Sequence, residues 1–159
     1  SASAAESKEV KAVRSFVQRF YDWYTPKASS DEHSVPTWYL AVDQKSSLLE
    51  PKLLKAIRQD IAAQKKATHD QEGLDFDPFM NSQDPDPRYA VGKIRKKGRY
   101  YYVSMRRVLE KTHRIAEVAV IAKVEKYMGS YRFADFIDPT EGWTLMGTLK
   151  ELRKEYSKP

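Results

Sequence analysis

The chain has 159 residues, of which 41% are hydrophobic and 31% are charged, which suits one folded domain with its own core. It contains no cysteine, which excludes disulfide bonds and thiolate metal sites, and no apolar run approaches the roughly 18 residues of a membrane-spanning helix. The net charge is +6, and its distribution along the chain is uneven.

Three helices are predicted in the first half of the chain. Apolar side chains recur there at three- and four-residue steps, which is typical of amphipathic helices. The predicted helices cover residues 6–24, 36–45 and 51–67. Ser7 is predicted to cap the first helix, and Thr25-Pro26 is predicted to end it, because the residue before a proline is disfavoured in helical conformation.

Four strands and a last helix are predicted in the second half. The strands cover residues 89–97, 100–109, 114–127 and 131–137, and a terminal helix begins near Trp143. Strands joined by such short turns must pair antiparallel as a meander. The sequence therefore predicts an α+β domain over residues 6–156, with N-terminal helices packed in a cone against a curved four-stranded sheet and a C-terminal helix packed back on it.

Residues 1–5 are predicted to be a disordered tail or a remnant of cloning. Their small side chains are like those beside a signal-peptidase site. This favours a mature exported protein whose signal peptide has been removed.

Residues 74–87 form a loop where the helices give way to the strands. It contains four aspartates, three prolines, two phenylalanines and no basic residue. In one interpretation it is the mouth of the cone and contacts a ligand or partner; in the other its aspartates form turns and its phenylalanines plug the cone. The mouth residues predicted to bind are Tyr21, Trp38, Tyr39, Asp75, Asp77, Phe79, Gln83 and Asp84.

The positive charge is concentrated in one segment. Residues 1–87 carry 11 basic and 14 acidic side chains, residues 115–159 carry seven of each, and residues 88–114 carry ten basic side chains against one acid. A patch of one sign influences association with partners more than the fold. The basic patch predicted to bind a partner consists of Lys93, Arg95, Lys96, Lys97, Arg99, Arg106 and Arg107.

Several motifs together resemble a known family. They are the segment 20–24 (FYDWY), the pair Leu48-Leu49 before a helix, the segment 74–79 (LDFDPF) with Gln83-Asp84, and a late aromatic strand before a leucine-rich helix. In these the chain resembles a bacterial family of exported proteins and lipoproteins of unknown function, within the nuclear-transport-factor-two-like (cystatin-like) fold superfamily. The resemblance implies a cone-shaped α+β fold and an envelope location. It implies no particular reaction, because the superfamily includes ketosteroid isomerase-like enzymes, secretion-system assembly domains and binding modules.

No catalytic, nucleotide-binding or metal-binding motif is present, so no cofactor and no metal are predicted. The three histidines lie in separate segments, and Pro78-Phe79 interrupts a calcium-loop pattern. An isomerase-like reaction would need an acid beside a tyrosine in the cone. The candidates for such a pair are Asp22 or Asp75 with Tyr21 or Tyr39.

The sequence thus favours a non-enzymatic periplasmic protein-binding module. It would be an immunity-type inhibitor of a secreted toxin or an accessory part of an envelope machine, with a partner of acidic surface. The tyrosines at 100–102 beside the basic patch suggest base stacking, but no recognised motif accompanies them, and no nucleic acid is predicted. Any membrane association is predicted to be peripheral. The sequence is also compatible with a homodimer that forms through the sheet. The alternative is a small-molecule-binding or isomerase-like enzyme that uses the cone pocket.

Overall fold

The computed structural model describes residues 5–30, 35–67 and 73–156. These residues form four α-helices, a short 3₁₀ turn and one four-stranded antiparallel sheet. The elements are α1 (Lys8–Ala28), α2 (Trp38–Gln44), the 3₁₀ turn (Ser46–Leu48), α3 (Pro51–Lys66), β1 (Tyr89–Lys97), β2 (Tyr100–Val108), β3 (Ile115–Tyr127), β4 (Ser130–Ile137) and α4 (Leu145–Tyr156). Three helices before the sheet and one after it confirm the predicted α+β class. The predicted N-terminal tail lies largely outside the described residues, since residues 1–4 are not among them.

Helix α1 begins as predicted but ends later. The Ser7 hydroxyl accepts a hydrogen bond from the backbone N–H of Val10 at 3.1 Å, which caps the first turn. The predicted end at Thr25-Pro26 was wrong, because α1 runs through Pro26 to Ala28. Thr25 is buried, its hydroxyl donates to the carbonyl oxygen of Pro87 at 2.9 Å, and its own carbonyl accepts from Ser29, so tertiary contacts hold the last turn.

The remaining element boundaries lie close to those predicted. Each strand matches its predicted range to within one residue at either end. Helix α3 has Pro51 in its first turn, where the missing N–H costs nothing, and the carboxylate of Glu50 accepts from the N–H of Lys52 at 3.0 Å. The largest difference is at Ser46, where the predicted break is a 3₁₀ turn.

The sheet is a simple meander with the strand order β1-β2-β3-β4. The turn between β3 and β4 has positive φ at both Met128 (49°) and Gly129 (78°), the geometry of a tight hairpin turn that matches the twist of the strands. Because side chains alternate along a strand, Tyr101, Val103 and Met105 of β2 face the core. Their neighbours in β2 lie on the opposite face, called here the outer face.

Side chains of α1 cover half of the free edge of β1. Gln18 accepts from the N–H of Val91 and donates to the carbonyl of Tyr89, both at 2.9 Å. Arg14 donates to the carbonyls of Val91 and Gly92 at 3.1 and 2.9 Å. Exposed edges otherwise invite pairing with another chain. The rest of this edge is residues 93–97, where four of five side chains are basic and repel a second copy of the same strand.

Aromatic rings fill the space between α1 and the sheet. The ring of Phe20 lies 4.9 Å from that of Phe133, 5.5 Å from that of Tyr24 and 5.7 Å from that of Phe79, centroid to centroid. Phe79 is fully buried and also contacts Phe136 at 4.9 Å. The loop 74–87 therefore supplies part of the core.

Candidate functional site

Two tyrosines of α1 hold the loop 74–87 from inside. The hydroxyl of Tyr21 donates to the carbonyl oxygen of Phe79 at 2.5 Å, and that of Tyr24 donates to Oδ2 of Asp77 at 2.6 Å. Both tyrosines are completely buried, and their pKa values are raised well above the usual value by burial, with a further contribution from Asp77. Of the predicted mouth residues, Tyr21, Asp77 and Phe79 are thus structural anchors.

Asp77 forms the turn at the centre of this loop. Its Oδ1 accepts from the backbone N–H groups of Phe79 and Met80 at 3.0 and 3.3 Å, and its backbone exchanges two hydrogen bonds with Ser82. Burial raises the pKa of Asp77 to about 6, although the hydrogen bonds from Tyr24, Phe79 and Met80 act in the opposite direction. The turn-forming interpretation of Asp77 therefore describes its geometry.

This buried carboxyl predicts a specific pH dependence of stability. The pKa of Asp77 is raised from the usual 3.8 to about 6, so the folded protein keeps this proton over a pH range in which the unfolded chain has lost it. Stability should therefore fall as pH rises from about 4 to about 6, by roughly 3 kcal/mol, and stay constant above that range. Asp77→Asn mimics the protonated side chain and should lack this fall.

Urea unfolding of the wild type and of Asp77→Asn between pH 4 and pH 7 measures the free energy of unfolding of each. Subtracting one from the other cancels the contributions of the other carboxyl groups. Asp75→Asn is the control, because Asp75 is exposed. Parallel stability curves for the wild type and Asp77→Asn would contradict the assignment.

The exposed part of the predicted mouth is a shallow pocket of about 250 Å³. The end of α1, the segment before α2 and the loop 74–87 form it, and Trp38, Asp75, Gln83 and Asp84 line it above Asp77. Tyr39 is not among the lining residues; its hydroxyl donates to Oε1 of Gln64 on α3 at 3.3 Å. Five of the eight predicted mouth residues thus line the pocket, whereas Tyr21, Tyr39 and Phe79 are not among the residues that line it.

The acid–tyrosine pairs considered for isomerase-like chemistry are not formed. Asp22 is exposed on α1 and accepts from Nε2 of Gln18 at 2.9 Å, while Asp75 is exposed on the loop. A buried acid–tyrosine contact does form between Tyr24 and Asp77, and sequence reasoning could not find it because the two residues lie 53 positions apart. The contact is buried, and Asp77 also lines the shallow pocket.

Metal ligands do not cluster in the part of the chain that the structure describes. No group of three or more His, Cys, Asp or Glu side chains there could hold an ion. His113 is exposed in the turn between β2 and β3, whereas His33 and His69 lie outside the described residues.

The predicted basic patch divides between several environments. Lys96 turns to the core side, where its Nζ lies 5.5 Å from the ring centroid of Tyr101 and 3.6 Å from Oε2 of Glu9. Arg107 forms ion pairs with Asp86 at 2.5 Å and Glu117 at 2.7 Å.

The other patch residues differ in whether their charges are paired. Arg106 donates to the carbonyl oxygen of Ala116 at 2.7 Å. Lys93, Arg95 and Lys97 are exposed and have no ion pair within the described ranges. The segment is therefore basic throughout, but only part of its charge is available to a partner.

A compact group of tyrosines and cations occupies the outer face of the sheet near the β1–β2 turn. Arg95 pairs in register with Tyr102, which pairs with Lys123, and Lys97 pairs with Tyr100. Nζ of Lys123 lies 4.1 Å from the ring centroid of Tyr100, and the Arg99 guanidinium carbon lies 4.9 Å from it. We call this group the tyrosine–cation face; it consists of Arg95, Lys97, Arg99, Tyr100, Tyr102 and Lys123.

A buried carboxylate organises the neighbouring side chains. Glu125 is 5% exposed and accepts from Arg99 at 3.3 Å and from Arg132 at 2.6 Å. The Arg132 guanidinium carbon lies 3.7 Å from the ring centroid of Tyr127. Charge-assisted contacts of this kind hold arginines in defined positions. The face is consequently preorganised at the Arg99 side.

Comparison with known proteins gives one finding. No family model matches the chain, and no curated protein matches it. Among solved structures, the chain is similar to a chain of the crystal structure of the type VI native effector–immunity complex Tae3–Tai3 from Ralstonia pickettii. The TM-score is 0.53 at 18% sequence identity, over 86% of this chain and 98% of that one. At this identity the similarity shows a shared fold. None of the helices in the described ranges is both long and apolar enough to cross a membrane.

Proposed function

We propose that this protein is a non-enzymatic binding module that recognises an acidic surface of another protein through its tyrosine–cation face. The observation that carries the proposal is the cross-strand array of Tyr100 and Tyr102 with the cations of β1 and β3. Tyrosine and arginine are enriched at the energetic centres of protein interfaces, where they combine large contact area with hydrogen bonding. Their placement on rigid strands limits the entropy lost on binding.

The proposed partner class is a secreted toxin or another envelope component, with this protein acting as an immunity-type inhibitor or an accessory part. The structural similarity to a chain of an effector–immunity complex supports a role in protein association. The resemblance to exported bacterial proteins of the nuclear-transport-factor-two-like superfamily supports a periplasmic or envelope location. We also propose residues 6–156 as one domain of that superfamily.

An acidic protein fits this face better than a nucleic acid does. A base stacks on the open side of an aromatic ring. Here Lys123 and Arg99 lie 4.1 and 4.9 Å from the ring centroid of Tyr100, so the protein's own cations already contact that ring. Carboxylates of a partner can instead approach Arg95, Lys97 and Lys123 from outside. The shallow mouth pocket beside Trp38 is a second contact surface in this proposal.

Charge reversal tests the face. The variant Arg95→Glu/Lys97→Glu/Lys123→Glu should slow association with the purified partner by at least about tenfold at low salt, because electrostatic attraction mainly sets the encounter rate. The difference from the wild type should shrink as salt screens the charges. Arg99 is left in place because it pairs with the buried Glu125.

Biolayer interferometry gives both rate constants, with a candidate toxin that the wild-type protein captures in a pull-down as the immobilised partner. The matched control is Lys8→Glu/Lys11→Glu/Lys66→Glu, which changes the net charge equally at exposed helix positions. An equal loss of association rate in both variants would show that only the net charge matters. Unchanged association rates in both would refute binding through the tyrosine–cation face. Failure of the wild-type protein to protect cells that express the toxin would refute the immunity role.

A further inference from the structure

A groove with an apolar floor runs between α3 and α4. Its volume is about 760 Å³. The floor is formed by Ala56 of α3 with Met146 and Leu149 of α4. Gly147 also lines it. These residues use none of the tyrosine–cation face, so the groove is a separate surface.

The walls of this groove are basic on both sides. Lys52 and Lys55 lie one turn apart on α3, and Lys150 and Lys154 lie one turn apart on α4. The groove-lining residues include no acid. Lys154 pairs with Glu151 at 3.9 Å and Arg153 pairs with Asp60 at 2.9 Å. Lys52, Lys55 and Lys150 form no ion pair with any described residue. The excess positive charge must therefore be balanced by solvent ions or by a ligand.

We infer that this groove binds an amphipathic helix with acidic flanks, contributed by a protein partner. A helix that lies between two others presents an apolar stripe at i, i+3, i+4 and i+7, which matches a floor of Ala56, Met146 and Leu149. The unpaired cations Lys52 and Lys55 on one wall and Lys150 on the other favour anionic groups on both sides of that stripe. Glutamates flanking the stripe of a helix meet this requirement.

The inference is tested with a synthetic 18-residue helical peptide whose leucine stripe is flanked by glutamates. We expect saturable binding by fluorescence anisotropy, and amide chemical-shift changes in ¹H–¹⁵N spectra confined to α3 and α4. A peptide with the same leucines but lysine flanks should bind at least about tenfold more weakly, because its charges oppose those of the walls. Absence of binding, equal binding of both peptides, or shifts centred on another surface would overturn the inference.

Variants of the full chain separate the groove from general charge effects. Lys52→Glu/Lys55→Glu/Lys150→Glu should weaken peptide binding by at least about tenfold, since three attractive pairs become repulsive. The net-charge-matched variant Lys8→Glu/Lys11→Glu/Lys66→Glu should bind normally. If the reversal perturbs folding, the glutamine triple at positions 52, 55 and 150 should still lose affinity, by a smaller factor.

Anionic vesicles of phosphatidylglycerol distinguish the other ligand class. If vesicles bind in a way that depends on Lys52, Lys55 and Lys150 and the peptide does not bind, the ligand of the groove is a membrane surface and the inference of a helix is wrong. Failure of peptide binding at the groove can be told apart from failure of the proposed toxin interaction. Charge reversal on the tyrosine–cation face should leave peptide binding at the groove unchanged.

Discussion

Replacing Phe79 by alanine is expected to lower the free energy of unfolding by about 4 kcal/mol. Phe79 is fully buried, and its ring lies 4.9 to 5.7 Å from the rings of Phe136, Tyr24 and Phe20. These neighbours come from α1 and β4, and regular elements cannot collapse into the vacated space. The loss therefore includes a cavity term in addition to the lost burial of the ring.

Phe76 provides the control for this prediction, because it occupies the same loop in a different environment. It is half-buried, and its ring lies 5.3 Å from that of Trp143. Phe76→Ala should cost about 1 to 2 kcal/mol, since solvent already reaches part of the site. Urea unfolding of both variants measures the difference. Similar losses for the two would show that Phe79 is no more central to the core than Phe76.

The same pair of residues shows how far the sequence could predict the loop. Its composition indicated that aromatic side chains close the space between helices and sheet. It could not indicate that Phe79 enters the core while Phe76 stays near the surface, because both lie within three residues of each other in the same short motif. The choice depends on the hydrogen bonds of Tyr21 and Tyr24, whose helix lies more than fifty residues earlier.

Local periodicity was sufficient to predict the elements themselves. Short turns between strands leave few alternatives to a meander, so the order β1-β2-β3-β4 followed from chain order. The end of α1 was missed because a buried threonine outweighs the local preference of the residue before proline.

The division of the basic patch was only partly accessible to sequence reasoning. Alternation along β1 indicates that Lys96 faces away from Arg95 and Lys97, as the structure shows. The burial of Glu125 could not be predicted this way, because alternation places it on the outer face opposite Val124, where Arg99 and Arg132 contact it. The role of Lys123 in the tyrosine–cation face requires the register of β2 against β3.

Replacing Arg153 by methionine is expected to lower the free energy of unfolding by about 3 kcal/mol, because it leaves the buried carboxylate of Asp60 without its cation. Asp60 is fully buried in α3, and its Oδ1 lies 2.9 Å from Nη2 of Arg153 in α4. Its Oδ2 accepts from Gln64 and from the N–H of Leu74. The expected cost is at the lower end for buried ion pairs, since the Arg153 side chain is 26% exposed.

A second substitution should separate the buried charge from simple loss of packing. Asp60→Asn keeps an acceptor for the N–H of Leu74 but carries no charge, so the double variant Asp60→Asn/Arg153→Met should be more stable than Arg153→Met alone. Lys150→Met on the exposed side of the same helix should change stability by less than about 0.5 kcal/mol. Denaturant unfolding of the four proteins decides this, and a double variant less stable than Arg153→Met would contradict it. Arg153 also lines the groove, and neither Arg153→Met nor the double variant keeps the Asp60–Arg153 pair that fixes α4 against α3, so peptide binding at the groove should weaken in both.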